Sequence, residues 1–427
     1  MKKILLLSFL FLSFQNSYAI NLKEAKELAG KNYPKLKAIE EKIKENALSI
    51  EKTQRERIGE IDITGTYASY NRNYMLIPMS HLPSPFNPPP FDSRKAIYGI
   101  SVKVPLYLGG VISRKVEIGK VKQELLKNYL KGTRWQVELN AATVFLKALS
   151  LKERENALKE YLKSLKKLYE STRAGVEAGK LAEVDLLKVS YSIKEVKARI
   201  RKVKENYRAL ITALETLTGQ KVSELQPPKI PYQPKKWKLE GLYRELLKNN
   251  SLLKTAEEKV RLTQTEKELV RAKYGVRVNL KGMLTRNYGF DSGKNEAYGY
   301  LGLNVSLPLF TGGRKGLELL EKESEVKQAL YEKNEKEKEL KRELAEVVAT
   351  LNWIQERIEA DSEKLRLAKE VERIEELKYI SGKGDINHLL LAKAQRYQSQ
   401  AELKSSYYDW LAALERLKAL LEVKDEQ

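Results

Sequence analysis

Cysteine is absent from all 427 residues and histidine occurs only twice. Without thiols the chain can build no disulfide framework, bind no metal through thiolate, and accept no lipid on a lipobox cysteine. Proline is missing from 106–226, from 235–307 and from 309–427. A proline inside a helix removes a hydrogen bond and clashes with the preceding turn, so these gaps permit very long helices. Beyond residue 20 there is no run of 18 apolar residues, so no apolar helix is available to cross a bilayer. Any membrane contact then falls to strands, whose signal per segment is weaker. No Ser/His/Asp, paired-carboxylate or phosphate-loop pattern occurs at a spacing that reads as catalysis. No enzyme, cofactor or resident metal is expected.

Charge is abundant in both signs. There are 79 Lys and Arg against 57 Asp and Glu, a formal net charge of +22. The two signs are interleaved, which describes a solvated surface rather than a nucleic-acid-binding face. The first nineteen residues stand apart. Lys2 and Lys3 precede an apolar run from Ile4 to Phe14 and a small-residue site at Ser17-Tyr18-Ala19. Residues 1–19 therefore read as a secretory signal peptide, with Ile20 as the expected mature N-terminus; the run is too short for an anchor helix.

The remaining sequence is written twice. Val-Pro-Leu-Tyr-Leu-Gly-Gly at 104–110 recurs as Leu-Pro-Leu-Phe-Thr-Gly-Gly at 307–313, with Pro105 and Pro308 203 residues apart. Ala-Gly-Lys-Leu-Ala-Glu-Val-Asp-Leu-Leu at 178–187 recurs as Ser-Gly-Lys-Gly-Asp-Ile-Asn-His-Leu-Leu at 381–390, again at 203. A period this long marks a duplicated structural unit. The repeats are assigned to 20–226 and 239–427, joined by 227–238, whose first eight residues hold four prolines and predict a stiff, extended linker.

Each repeat reads in one order. A helix comes first, expected at 22–58 and at about 239–273. A strand follows: Ile61, Ile63 and Tyr67 alternate with Glu60, Asp62, Thr64 and Thr66, and Val276, Val278, Leu280 and Leu284 alternate with Arg277, Asn279, Lys281 and Thr285. In the second strand Tyr98, Ile100, Val102 and Val104 alternate with Gly99, Ser101 and Lys103; its copy has Leu301, Leu303, Val305 and Leu307 against Gly302, Asn304 and Ser306. Pro105 and Pro308 should end these strands, because proline donates nothing to a ladder. The glycine pairs Gly109–Gly110 and Gly312–Gly313 let the chain swing into a helix. The first hairpin loop is long, with Pro83, Pro85, Pro88, Pro89 and Pro90, and the second is short.

A breaker-free stretch from Val111 to about Gly175 then allows a helix of about 65 residues, roughly 98 Å long. Gly175 and Gly179 are expected to break it before a second helix returns. There Ile193, Val196, Ile200, Val203, Tyr207, Leu210, Leu214 and Leu217 step 3-4-3-4-3-4-3, a heptad seam, and Leu403, Trp410, Leu417 and Leu420 retain part of it in the second repeat. Each chain thus offers two amphipathic β-hairpins and two long helical hairpins. Four strands with one apolar face cannot close a barrel, and an open edge in lipid leaves backbone groups unsatisfied. Closure needs sister chains: two would give eight strands and a filled interior, three would give twelve and a lumen. Lys103, Asn279, Lys281 and Asn304 suit a wet interior.

The Pro-Leu-aromatic-x-Gly-Gly turns, the Ala-Gly-Lys tip and the 203-residue duplication resemble the TolC family of outer-membrane efflux proteins, over essentially the whole mature chain. The resemblance implies a mainly α fold with transmembrane β: long antiparallel coiled-coil hairpins forming an α-barrel, and four strands per chain contributing to a 12-stranded trimeric β-barrel. It implies a homotrimer in outer-membrane lipid that extends into the periplasm. Its partners would be a periplasmic adaptor and an inner-membrane pump, in efflux or type I secretion, with the protein itself a passive exit duct gated at its helical tips.

By the same resemblance the entrance and docking tips are Gly175, Gly179, Lys180, Leu181 and Asp185, and Gly382, Lys383, Gly384, Asp385 and His388. The barrel-to-helix turns are Pro105, Gly109, Gly110, Pro308, Gly312 and Gly313. The family's aspartate near the start of the returning helix matches Asp185, whereas His388 holds that place in the second repeat. Plainer roles compete: Asp385 as a helix N-cap, Gly179 and Gly382 as helix terminators, and His388 as a solvent-facing residue rather than a metal-binding or pH-sensing ring. The alternative function is a periplasmic coiled-coil adaptor or structural protein without a barrel. A receptor role for the 73–95 loop could coexist with transport.

Overall fold

A computed structural model describes residues 18–78 and 90–424. Residues 1–17, most of the expected signal peptide, and residues 79–89, with four of the five loop prolines, lie outside the described residues. The order of elements is β1 (Tyr18–Ile20), α1 (Leu22–Asn32), α2 (Pro34–Arg55), β2 (Glu60–Met75), β3 (Phe91–Leu108), α3 (Val111–Glu177), α4 (Glu183–Thr218), β4 (Val222–Leu225), α5 (Leu239–Asn249), α6 (Ser251–Lys273), β5 (Arg277–Gly289), β6 (Asn295–Ser306), α7 (Arg314–Ile380) and α8 (Ile386–Leu421).

The duplication is visible in the element lengths. Both α3 and α7 have 67 residues, and both α4 and α8 have 36. From α3 onward the copies stay 203 residues apart (Val111 to Arg314), but α1 and α5 begin 217 apart (Leu22 to Leu239). The difference, 217 − 203 = 14 residues, is taken up in the longer first hairpin.

The opening helix of each copy is broken, where the sequence predicted one continuous helix. Tyr33 precedes Pro34 and is driven out of the helical region, to φ −63° and ψ 124°. Pro34 then starts α2, where its missing N–H costs nothing. Asn250, at φ −63° and ψ 117°, makes the same break without a proline. Each break is fastened to the end of a returning helix: Asn32 Nδ2 donates to the Thr218 carbonyl at 2.8 Å, and Asn250 Nδ2 to the Leu420 carbonyl at 3.0 Å.

Two compact units emerge, one made of 41–128 with 253–336 and the other of the remaining chain. The first holds an antiparallel sheet of order β2-β3-β5-β6. Residues facing each other across such a ladder share one side. Ile63 faces Ile100, Ile100 faces Leu284, and Leu280 faces Leu303, so one side carries an apolar band across all four strands. The other side carries Glu60, Thr64, Ser101, Lys103, Asn279, Lys281 and Asn304. Ile61, Ile63, Leu284, Leu301, Leu303 and Val305 are exposed.

Among the described residues, β2 pairs only with β3 and β6 only with β5, leaving both outer edges open. The expectation that Pro105 ends its strand fails. β3 continues to Leu108: Pro105 stays opposite Asn279, Leu106 is bulged out, and pairing resumes with Tyr107 opposite Val278. β6 does stop at Ser306, ahead of Pro308.

The second unit is helical. Its heptad seam is buried at Val196, Val203 and Leu214, and in the second copy at Trp410, Leu417 and Leu420. The segment 226–238 has no regular structure and is strapped to α7 and α8. Gln355 exchanges hydrogen bonds with the Lys235 backbone at 2.7 and 3.0 Å, Tyr407 donates to the Ile230 carbonyl, and Tyr232 packs edge-on to Trp410 at 5.3 Å. A small parallel sheet of β1 and β4, which the sequence did not announce, pairs Ile20 with Leu225.

Candidate functional site

The helical tips lie within the second unit. In the first hairpin α3 runs through Gly175 to Glu177, so Gly175 does not break the helix as expected. It serves packing instead: a Cβ there would lie 2.6 Å from Leu181 Cδ1. The Gly175 carbonyl accepts the Lys180 and Leu181 amides at 2.8 and 3.2 Å, closing the turn. Gly179 adopts φ +69°, the left-handed conformation that ends the helix at little steric cost.

The second hairpin repeats this design with different residues. Gly382 adopts φ +73° and the Lys383 amide returns to the Lys378 carbonyl at 2.9 Å. Asp385 is the N-cap of α8, its Oδ1 accepting the Asn387 amide at 2.5 Å. The equivalent cap of α4, Ala182, has no side chain that can accept. Asp185 and His388 are each the third residue of their helices, one half-buried and one exposed.

The two tips share one core. Leu168 and Val189 of the first hairpin cluster with Tyr379, Ile386 and Leu389 of the second, and Leu181 packs against them. The Tyr379 hydroxyl lies 3.4 Å from Thr172 Oγ1, a polar link between α3 and α7. Burial, with a smaller contribution from the charge of Asp185, raises the Tyr379 pKa, so the phenol keeps its proton. Around this core a rim of apolar side chains is exposed: Val184, Leu187 and Tyr191 on α4, Leu377 and Ile380 on α7, and Leu391 on α8.

Sequence reasoning missed an ionic brace near the second tip. Lys393, 4% exposed, holds Glu372 at 3.1 Å and Glu376 at 3.0 Å, while Arg396 Nε lies 3.3 Å from Glu372. The first copy has Ser190, Tyr169, Arg173 and Ile193 at the corresponding positions. A comparison of the two copies for charge at inward-facing positions is the signal that would have found it.

In the sheet unit the glycine pairs Gly109–Gly110 and Gly312–Gly313 all have positive φ, from 61° to 84°. Gly109 has a second constraint, since a Cβ would lie 2.7 Å from the Ala272 carbonyl. At the opposite end of the strands, buried Asp92 accepts from the Arg94, Asp291 and Ser292 amides at 2.9, 3.1 and 2.8 Å, and from Ser292 Oγ at 2.8 Å. One carboxylate thus ties the start of β3 to the β5–β6 turn, reinforced by the Arg94–Asp291 ion pair at 2.5 Å.

No group of three or more candidate metal ligands occurs among the described residues, and no described helix is long and apolar enough to cross a membrane. No curated protein matches the sequence significantly. Solved structures do match by fold. The outer membrane protein VceC of Vibrio cholerae aligns with TM-score 0.76 at 17% identity, over 94% of this chain and 95% of that one. The CmeC outer membrane channel of Campylobacter jejuni aligns with TM-score 0.77 at 16% identity, over 95% and 87%. The MtrE outer membrane channel of Neisseria gonorrhoeae, in its open state, aligns with TM-score 0.74 at 15% identity, over 94% and 88%. The sequence family described as outer membrane efflux protein matches residues 27–220 and again 242–422, one match on each copy. With both repeats matched, the chain belongs to the outer membrane efflux protein family and has the α-barrel and β-barrel channel fold that its sequence resemblance to the TolC family implied.

Proposed function

We propose that three copies of this chain form an outer-membrane exit duct that extends into the periplasm and serves a tripartite efflux or type I secretion system. An inner-membrane pump would supply the energy, and a periplasmic adaptor would dock at the helical tips. The observation that carries this reading is the sheet. Its apolar side is exposed along four strands, its other side is polar, and both edges are open. In lipid such a sheet must close, and one chain is too short to close it. Three chains supply twelve strands with the charged side lining a wet lumen, whereas eight strands would leave an interior just filled by side chains.

A gate at the tips follows from the core that joins the hairpins there. Opening the entrance requires the second hairpin to swing away from the first. That movement would break the Thr172–Tyr379 contact and expose part of the Leu168–Leu389 cluster. The apolar rim, from Val184 to Leu391, supplies a docking surface for sister tips and for the adaptor. The departure at His388 leaves Asp185 as the acidic group in this position of the returning helices, so the entrance carries one carboxylate per chain there rather than two.

The test is membrane fractionation followed by conductance in planar bilayers. The duct reading requires recovery in the outer membrane, extraction by detergent, and a pore of low open probability. Recovery from the soluble periplasmic fraction would favour the adaptor alternative and end the duct reading.

A further inference from the structure

The chain carries the template for the seam it lacks. In the first hairpin Glu60 faces Lys103 and Ile63 faces Ile100. Moving the first member of each pair by 217 residues and the second by 203 gives Arg277 with Ser306 and Leu280 with Leu303, which do face each other. The two hairpins therefore keep one register, although their loops differ in length. Between the hairpins, β3 meets β5 with Ile100 opposite Leu284, Ser101 opposite Met283, Lys103 opposite Lys281 and Pro105 opposite Asn279. Leu106 is then bulged out and Tyr107 faces Val278.

β6 is the copy of β3, and β2 is the copy of β5. The open edge of β6 is thus related to the open edge of β2 on another subunit as β3 is to β5. We propose that this internal seam sets the register between subunits. Asn304 then faces the partner subunit's Thr66, Ser306 faces the partner subunit's Thr64, and Pro308 faces the partner subunit's Asp62. Leu309 is bulged, and Phe310 faces the partner subunit's Ile61. The proposal rests on the trimer reading above and adds the identity of the contacting residues.

Two features carry it. First, the transposed register matches both faces. Leu303 meets the partner subunit's Tyr67 and Leu307 meets the partner subunit's Ile63 on the apolar side, while hydroxyls and amides meet on the polar side. A slip of one residue would bring apolar side chains against polar ones along the whole edge. Second, the turn sequences are alike but their structures differ. Residues 105–108 are strand, paired to β5, whereas 307–311 are not strand. Leu309 and Phe310 are 90% and 89% exposed, against 55% for each of Leu106 and Tyr107. What the second copy lacks is the strand that β5 provides to the first. The partner's β2 supplies it, extending β6 by about four residues and covering Phe310.

The absence of native cysteine makes the test clean. Four double variants use the same four polar-side positions: T66C/N304C and T64C/S306C are in register, and T64C/N304C and T66C/S306C are displaced by two. Facing Cβ atoms lie about 5 Å apart and diagonal ones about 7–8 Å, so a disulfide or the shortest thiol cross-linker separates the sets. Oxidised in the outer membrane, the first two should run as reductant-sensitive covalent trimers, at about tenfold or more the yield of the displaced pairs. S101C/M283C, the equivalent pair inside one chain, should close in every case and reports correct folding of the sheet. Preferential linking of the displaced pairs overturns the register, as does failure of all four in a particle whose detergent-solubilised mass is a trimer. A monomer by mass, with S101C/M283C closed, instead ends the trimer reading on which the register depends.

Discussion

The brace around Lys393 offers a direct test of how the second hairpin is held. Replacing Lys393 by Met removes the ammonium that holds both Glu372 and Glu376. Glu376 is half exposed and re-solvates, but Glu372 is 10% exposed at its side chain and keeps Arg396 at 3.3 Å. Breaking a buried pair outright costs about 3–5 kcal/mol. With Arg396 still partly neutralising the carboxylate, the expected local cost is about 2 kcal/mol, or roughly a thirtyfold shift in opening. Hydrogen exchange is the suitable assay, because it reads local opening without requiring a reversible melt.

Amides of α7 and α8 around 370–395 should exchange about thirtyfold faster in K393M, while those around 165–195 of the first hairpin change little. The first copy shows how to relieve the defect, since it holds the same geometry with Tyr169, Ser190 and Ile193. The triple variant E372Y/K393S/R396I transplants that set and should bring exchange back to within a fewfold of the parent, as replacement of buried ions by packed groups often does. If K393M left exchange unchanged, or if the triple variant were no slower than K393M, the ions would not be what braces this hairpin.

Four further outcomes follow from the geometry. Tyr379→Phe removes one link between the hairpins, worth about 1 kcal/mol, and should raise the open probability of the reconstituted pore about fivefold, with Thr172→Val having the same effect and the double variant adding little. Burial pushes the Tyr161 and Tyr408 phenols up to about 12. Between pH 10 and 12 the folded chain therefore holds protons that the unfolded chain releases, so unfolding gains from rising pH. Each tyrosine should contribute roughly 2 kcal/mol of lost stability by pH 12, and Tyr161→Phe should flatten the alkaline part of the stability profile. Asp92→Asn leaves one acceptor where a carboxylate took four hydrogen bonds, so limited proteolysis should cut the β5–β6 turn near Gly293 several times faster. Gly179→Ala places a side chain at φ +69° and should cost about 1 kcal/mol at the first tip, seen as faster exchange confined to that turn.

Much of this architecture is legible in the sequence because it is local or repeated. The alternation at Ile61, Ile63 and Tyr67 and the heptad from Ile193 to Leu217 are periodic signals. The Pro-Leu-aromatic-x-Gly-Gly motif locates the strand-to-helix turn in both copies. What escaped depends on contacts distant in the chain. The break at Asn250 has no proline to announce it; its amide is held by the Leu420 carbonyl, 170 residues away. Pro105 remains within its strand because β5, far along the chain, pairs with it and again with Tyr107 beyond a one-residue bulge. Asp92 gains three of its four donors from a turn about 200 residues later, and nothing near it in sequence marks it as more than one aspartate among many. At the tips Gly179, Gly382 and the cap at Asp385 are readable, but the Thr172–Tyr379 contact and the Lys393 brace join helices that the sequence cannot orient. Gly175 was misread for a related reason: its small size serves Leu181, which folds back onto it, rather than a helix end.

The central claim is that the four strands of one chain are a third of a wall. Native mass spectrometry of the detergent-solubilised protein, released from purified outer membrane, tests it most directly. A single species at three times the mass of the processed chain is the predicted result. A monodisperse monomer, or a dimer whose eight strands close without a third chain, would contradict it.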